Sequence, residues 1–249
     1  MNIIIFFRVI KVNRKSDIIC SVNGLTKIED NKVILNDISF QIPKNQVVGF
    51  LGPNGAGKTT TLRVLSGLTR YTRGKILINN IESSKEKSDK VMFLPDIPLL
   101  FPVLTGREYL KFIGEILNIK INEEEIYVLV KKLKLIDALD SPISKYSLGM
   151  KKKLSLLPLL IKKPPLLLLD EYISGIDPVS MKEIKDILKG YASDDKSILL
   201  STHQLEVAQT FCDSIIFIKE GEISQNYISV KEIIDKEKSL EEYFIKCLK

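Results

Sequence analysis

Gly52-Pro53-Asn54-Gly55-Ala56-Gly57-Lys58-Thr59-Thr60 combine glycines, a lysine and hydroxyls at a spacing suited to holding phosphate groups. Glycines admit backbone conformations closed to other residues, and they keep side chains from shielding successive N–H groups. An anion then sits where these N–H groups meet the start of a helix. Lys58 is placed to reach the β- and γ-phosphates of a nucleoside triphosphate, and Thr59 to set its hydroxyl on the accompanying Mg²⁺. Phosphoryl transfer to water needs two more groups, one holding the metal from a second direction and one orienting the water. Asp170 and Glu171, at the end of Leu166-Leu167-Leu168-Leu169, are the candidates: Asp170 for Mg²⁺, Glu171 as general base.

The surrounding sequence must bring these groups together. Val47 to Leu51 reads as a buried strand and Thr59 to Leu68 as a helix, so the glycines lie between strand and helix, as a phosphate loop requires. Ile18 to Val22 and Val33 to Ile42, joined by the polar Glu29-Asp30-Asn31-Lys32 turn, predict an antiparallel start. Gly74 to Ile78 and Val91 to Leu94 are further strands. Thr105 with Glu108, and Asn122 with Glu125, form capping-box patterns, and residues 101–162 read as a helical lobe ended by Pro164-Pro165. The leucine strand then delivers its carboxylates at the edge where open α/β sheets bind ligands. Asp177 caps a helix with Pro178 at its first position, and Ser197 to Ser201 is a strand leading to His203. A hairpin about Glu220-Gly221 and two short helices capped by Ser229 and Ser239 close the chain.

The expected fold is α/β: a phosphate-loop NTPase core with a mainly parallel sheet, an N-terminal antiparallel β region and an inserted helical lobe. Its expected divisions are an extension over 1–17, an ATPase domain over 18–225 holding the lobe at about 101–162, and a helical tail over 226–249. At 249 residues and 45% hydrophobic the chain can bury a full core. Three scattered cysteines fit neither a disulfide framework nor a metal site and suit a reducing cytoplasm. The apolar start Ile3 to Phe7 is too short to span a bilayer and lacks a signal-peptide cleavage site. A net charge of +6 permits anionic partners, but the lysines are interleaved with Asp and Glu, as on a solvated surface.

Over residues 20 to 225 the chain resembles the ATP-binding subunit of an ABC transporter, most closely the exporter (ABC-2-like) type. Tyr146-Ser147-Leu148-Gly149-Met150 matches the family signature, with Leu148 and Met150 in the variant form of that branch. The resemblance implies that Ser147 and Gly149 bind the γ-phosphate held by another subunit's loop, so that two nucleotides are sandwiched in a head-to-tail dimer. Ser174-Gly175-Ile176-Asp177-Pro178 matches the loop that crosses this interface, and His203 the histidine that senses the γ-phosphate. Asp96 stands where the family places a glutamine or glutamate that reaches the metal; its shorter side chain would act through water. Glu29 takes the place of an adenine-stacking ring, leaving base contacts to Ile28 or Val33, and Tyr172 replaces a proline after Glu171.

The function implied is ATP hydrolysis with Mg²⁺, driving export of an unidentified substrate through a separate multi-spanning permease at the cytoplasmic face of the membrane. The second ATP-binding subunit would be the same chain or a different one, with no nucleic acid expected. A soluble ATPase of this class acting on nucleic acid or ribosomes remains an alternative, although such relatives join two domains or insert a coiled coil. A non-hydrolysing regulatory module is a further one, against which Lys58, Asp170, Glu171 and His203 stand together. By resemblance, Phe101 to Tyr109 forms part of a groove for a short cytoplasmic helix of the permease.

Overall fold

Three polar pairs fold the chain back on itself: Asp30-Asn31, Asn79-Asn80 and Glu220-Gly221 have positive φ at both residues. That is the turn geometry whose twist matches the strands it joins. In a computed structural model describing residues 17–82, 89–119, 122–237 and 239–248, these turns close three hairpins. They are β1 (Ile18–Glu29) with β2 (Lys32–Pro43), β4 (Arg73–Ile78) with β5 (Ile81–Glu82), and β9 (Ser214–Lys219) with β10 (Glu222–Ser229). The apolar segment Ile3 to Phe7 lies outside the described residues.

The antiparallel sheet has the order β2-β1-β4-β5. β1 runs past the expected Val22, because its ladder with β2 accommodates Asn23-Gly24 by a register shift between Val22 and Leu25 and then resumes.

The larger sheet also contains β3 (Val47–Leu51), β6 (Val91–Leu94), β7 (Leu166–Asp170) and β8 (Ser197–Thr202), in the order β10-β9-β3-β8-β7-β6. Every pairing from β9 to β6 is parallel, so β3, β6, β7 and β8 all end at one edge. β3 and β7 are buried along their whole lengths, which explains runs of consecutive apolar residues rather than alternation. Alternate side chains nevertheless serve different cores. Leu167, Leu169, Ile198 and Leu200 face one cluster with the helices, whereas Leu166, Leu168 and Leu199 face another with the antiparallel sheet.

Helix α1 (Lys58–Leu65) follows β3 directly and ends before the expected Leu68, where Gly67 turns to positive φ. The lobe holds α2 (Gly106–Ile116), α3 (Glu123–Lys132) and α4 (Leu148–Lys162). At α2 the Thr105–Glu108 capping box forms in both directions. At α3 Asn122 accepts from the Glu124 amide, while Glu125, the expected second half of that box, pairs with Lys163 at 2.6 Å. α4 buries ten of its residues, Lys152 and Lys153 among them, and packs the lobe onto the core.

After β7 come α5 (Pro178–Tyr191) and α6 (Leu205–Phe211), then α7 (Val230–Lys236) and α8 (Leu240–Leu248) beyond β10. β10 runs through Ser229, so the strand crosses the expected boundary at 225. Ser229 makes no side-chain cap, while Ser239 accepts from the Glu242 amide at 3.2 Å. Val230, Ile233, Leu240 and Tyr243 join the core, which makes the tail part of the folded body. Among the described residues no helix is long and apolar enough to cross a membrane. Burial pushes the thiols of Cys20 and Cys212 up to about 12, so both remain protonated.

Candidate active site

Four parallel strands ending together bring distant residues to one edge. From β3 comes the loop 52–57, whose tip Pro53-Asn54-Gly55 is exposed while Gly52, Ala56 and Gly57 are buried. Gly57, the residue before α1, has φ +104, a backbone conformation that favours glycine, and a Cβ there would also lie 2.7 Å from Leu35 Cδ2. No side chain caps α1, so its first N–H groups are left for a ligand.

Lys58 is buried, and its Nζ donates to the carbonyls of Gly52 at 2.7 Å and Pro53 at 3.0 Å. Burial lowers its pKa, and the charges of Glu171 and Asp170 push it back up. The ammonium is thus held beside two carboxylates at the base of the loop. Thr59 Oγ1 donates to Asp170 Oδ1 at 3.1 Å, across 111 positions of sequence, and Thr60 is half-buried beside it.

At the ends of β7 and β8 the carboxylates are divided between two sets of partners. Asp170 is buried and accepts from Ser201 Oγ as well as from Thr59. The backbone turns at Glu171, whose φ of +46 is uncommon for a residue with a side chain. Its amide donates to the Ser201 carbonyl at 3.0 Å. Its Oε1 lies 2.8 Å from His203 Nδ1, and its Oε2 accepts from Ser174 Oγ at 3.2 Å. Asp170 is thus a buried carboxylate held by two hydroxyls, whereas Glu171 is a partly exposed carboxylate oriented by an imidazole and a hydroxyl.

The remaining candidates gather elsewhere. Ser147 is exposed and caps α4 by accepting from the Met150 amide at 3.2 Å. Gly149 packs on α5, where a Cβ would come within 2.7 Å of Ser180 Oγ and 3.1 Å of Asp177 Oδ2. Asp177 caps α5 by accepting from the Ser180 amide at 2.9 Å, which holds its carboxyl below the usual range. Gly149 thus lies against Asp177 and Ser180, while Ser147 and Asp177 each cap the start of their own helix. Asp96, beyond β6, pairs with Lys152 Nζ at 3.1 Å.

The donor set fits a magnesium nucleotide. Among the described residues no group of three or more His, Cys, Asp or Glu forms a metal cage. A hydroxyl and a carboxylate at 3.1 Å, beside a loop suited to phosphate, suit a hard cation that completes its shell with phosphate oxygens and water. Sequence reasoning placed Ser174 in the interface-crossing loop and Ser201 at a strand end without giving either a partner in the site, and it missed Lys152. Ser201 is the polar end of the apolar strand Ile198-Leu199-Leu200; Lys152 is indistinguishable by type from its neighbours Lys151 and Lys153.

Comparisons with known proteins identify the family and the fold. The family model for ABC transporter domains matches residues 35–174, more than half of the chain. The chain is 34% identical over 223 residues to the lantibiotic transport ATP-binding protein SrtF of Streptococcus pyogenes, covering 90% of this chain and 94% of that protein. It is also 34% identical over 209 residues to the ABC transporter ATP-binding protein YdbJ of Bacillus subtilis, covering 82% and 68%. A solved ATP-binding subunit of an ABC transporter superposes with TM-score 0.82 at 26% identity, covering 93% of this chain and 100% of that one. A nucleotide-free ATP-binding cassette superposes with TM-score 0.77 at 22% identity, a likeness of fold alone.

Proposed function

The chain belongs to the ABC transporter ATP-binding family, whose members hydrolyse ATP to power transport, and from that premise we propose how its residues divide the work. The phosphate loop 52–60 and the uncapped start of α1 bind the triphosphate, with Lys58 on the β- and γ-phosphates. Thr59 and Asp170 hold Mg²⁺, which supplies charge neutralisation at the phosphate oxygens. Glu171 takes the proton of the attacking water, and His203 orients Glu171 and registers the γ-phosphate. The ATPase domain carries a lobe over about 101–162, and the tail begins after Ser229.

Ser147, Gly149 and Asp177 act on the nucleotide held by a second ATP-binding subunit, identical or different, so that closure of the pair precedes hydrolysis. The chain drives export through a separate permease from the cytoplasmic face of the membrane. The variant signature supports the lean to export, and the likeness to a lantibiotic transport protein supports a transport role. The observation that carries the reading is the contact of Thr59 with Asp170, which sets the metal-holding carboxylate on the phosphate loop.

The permease contact supplies the test. In the segment Phe101 to Tyr109, Phe101 is exposed, Leu104 is partly buried against the core, and Tyr109 is buried in it. Phe101→Asp is therefore expected to abolish copurification with the membrane subunit and to leave nucleotide binding intact. Undiminished copurification would move the contact elsewhere, and DNA binding that weakens steeply with salt would favour a nucleic-acid role.

A further inference from the structure

Lys152 is fully buried in α4, and an ammonium taken out of water is costly unless its donors are met. Its Nζ is 3.1 Å from Asp96 Oδ1 and donates to the Ser174 carbonyl at 2.8 Å, with the Tyr172 ring centroid 5.6 Å away. Carboxylate, carbonyl and ring face together satisfy a group with three donors.

The same turn of α4 holds the segment after Glu171 a second time. Tyr172 is fully buried, its hydroxyl donates to the Lys152 carbonyl, and it lies 2.9 Å from Ser155 Oγ. Ser174, whose carbonyl Lys152 holds, donates its hydroxyl to Glu171 Oε2. A continuous line of contacts therefore runs from Asp96 through Lys152 and Ser174 to Glu171. Asp96 is about half-exposed, and its carboxylate is the anionic partner of a buried cation. Drawing that carboxylate away to a metal ion would leave the ammonium buried without its counter-charge, which is unfavourable.

We propose that Lys152 is a positioning residue for Glu171, acting through Ser174, and that Asp96 serves the Lys152 ion pair rather than the metal. The proposal rests on the role assigned to Glu171 above. It accounts for an aspartate where a metal-reaching residue would be longer, and for a tyrosine beside Glu171, since Tyr172 grips the turn of α4 that Lys152 occupies.

The test uses the full chain with Lys152→Met, Lys152→Arg, Asp96→Asn and the Asp96→Asn/Lys152→Met double variant. Lys152→Met is expected to lower kcat by about tenfold or more with KM for ATP within about twofold, because a displaced base loses rate without losing binding. Lys152→Arg should restore most of that loss. Asp96→Asn should lower kcat less and leave unchanged the Mg²⁺ concentration that half-saturates ATP binding, followed by nucleotide fluorescence. The double variant should be no worse than Lys152→Met, and the two single effects should be non-additive in thermal unfolding.

A roughly tenfold rise in the Mg²⁺ requirement for binding in Asp96→Asn, with effects additive to those of Lys152, would overturn the proposal and make Asp96 a metal contact. If Lys152→Met does not fold, Asp96→Asn and Asp96→Glu decide through the same Mg²⁺ titration. Glu171→Gln measured in parallel separates the two readings. Wild-type turnover there removes the role of Glu171, while coupling of Asp96 to Lys152 in unfolding reports on the ion pair alone.

Discussion

The starts of α1 and α4 are both suited to anions, but they are finished in different ways. At α1 no side chain caps the helix, Gly57 holds a left-handed backbone, Lys58 is held on the Gly52 and Pro53 carbonyls, and Thr59 donates to Asp170. At α4 the exposed Ser147 spends its own hydroxyl on the Met150 amide. A helix start without a cap leaves N–H donors for a ligand to satisfy, whereas one capped by its own serine is stable as it stands. The chain thus builds one half of a phosphate site around an anion to come. On the function proposed above, the α4 start is the other half, a finished surface that meets a nucleotide brought by a second subunit.

The largest effect that could break this contrast lies on the α1 side. Glu171→Gln should reduce phosphate release by about 10²–10⁴-fold while ATP still binds, since only the proton acceptor is lost. Near-normal turnover would place the base elsewhere. Base selectivity comes next. Ile28 and Val33 are opposed across the β1–β2 ladder and exposed, and Glu29 beside them offers no ring to stack on adenine. GTP should therefore compete with ATP to within about an order of magnitude, the triphosphate carrying most of the binding. Strong preference for ATP in a competition titration would require an adenine platform outside this turn. The smallest effect sharpens the α4 side. Ser147→Ala should cost about 1 kcal/mol without nucleotide, seen as a fall in Tm of about 2–4 °C, and leave ATP binding by the single chain unaltered. An unchanged Tm would mean that the cap adds nothing and that the contrast between the helices is one of sequence alone.

Much of the arrangement is legible in the sequence where a residue type is forced by local physics. The leucine run of β7 announces a strand buried on both faces, and its trailing carboxylates announce the site edge. The Thr105 box is legible because both of its halves lie within one turn of helix. Where a side chain has a choice of partners the sequence is silent. Glu125 has the spacing of a capping residue and pairs with Lys163 instead, 38 positions away. β10 reads past its expected end because pairing with β9, with Tyr227 and Ile228 packed against the cores, holds the segment in the sheet despite the polar Gln225, Asn226 and Ser229. Ser201 and Lys152 gain their roles from parallel pairing and from the packing of α4, and neither is a property of neighbours in sequence.

On the proposed function, the α1 half of the site is completed by the α4 half of a second subunit. Light-scattering mass of Glu171→Gln in Mg²⁺ and ATP tests it most directly, with Glu171→Gln/Ser147→Arg as the comparison. For a chain that pairs with itself, Glu171→Gln should show twice the single-chain mass with ATP and the single-chain mass without it. Adding Ser147→Arg should return the single-chain mass at saturating ATP. A doubled mass that persists in the Ser147→Arg protein would contradict it.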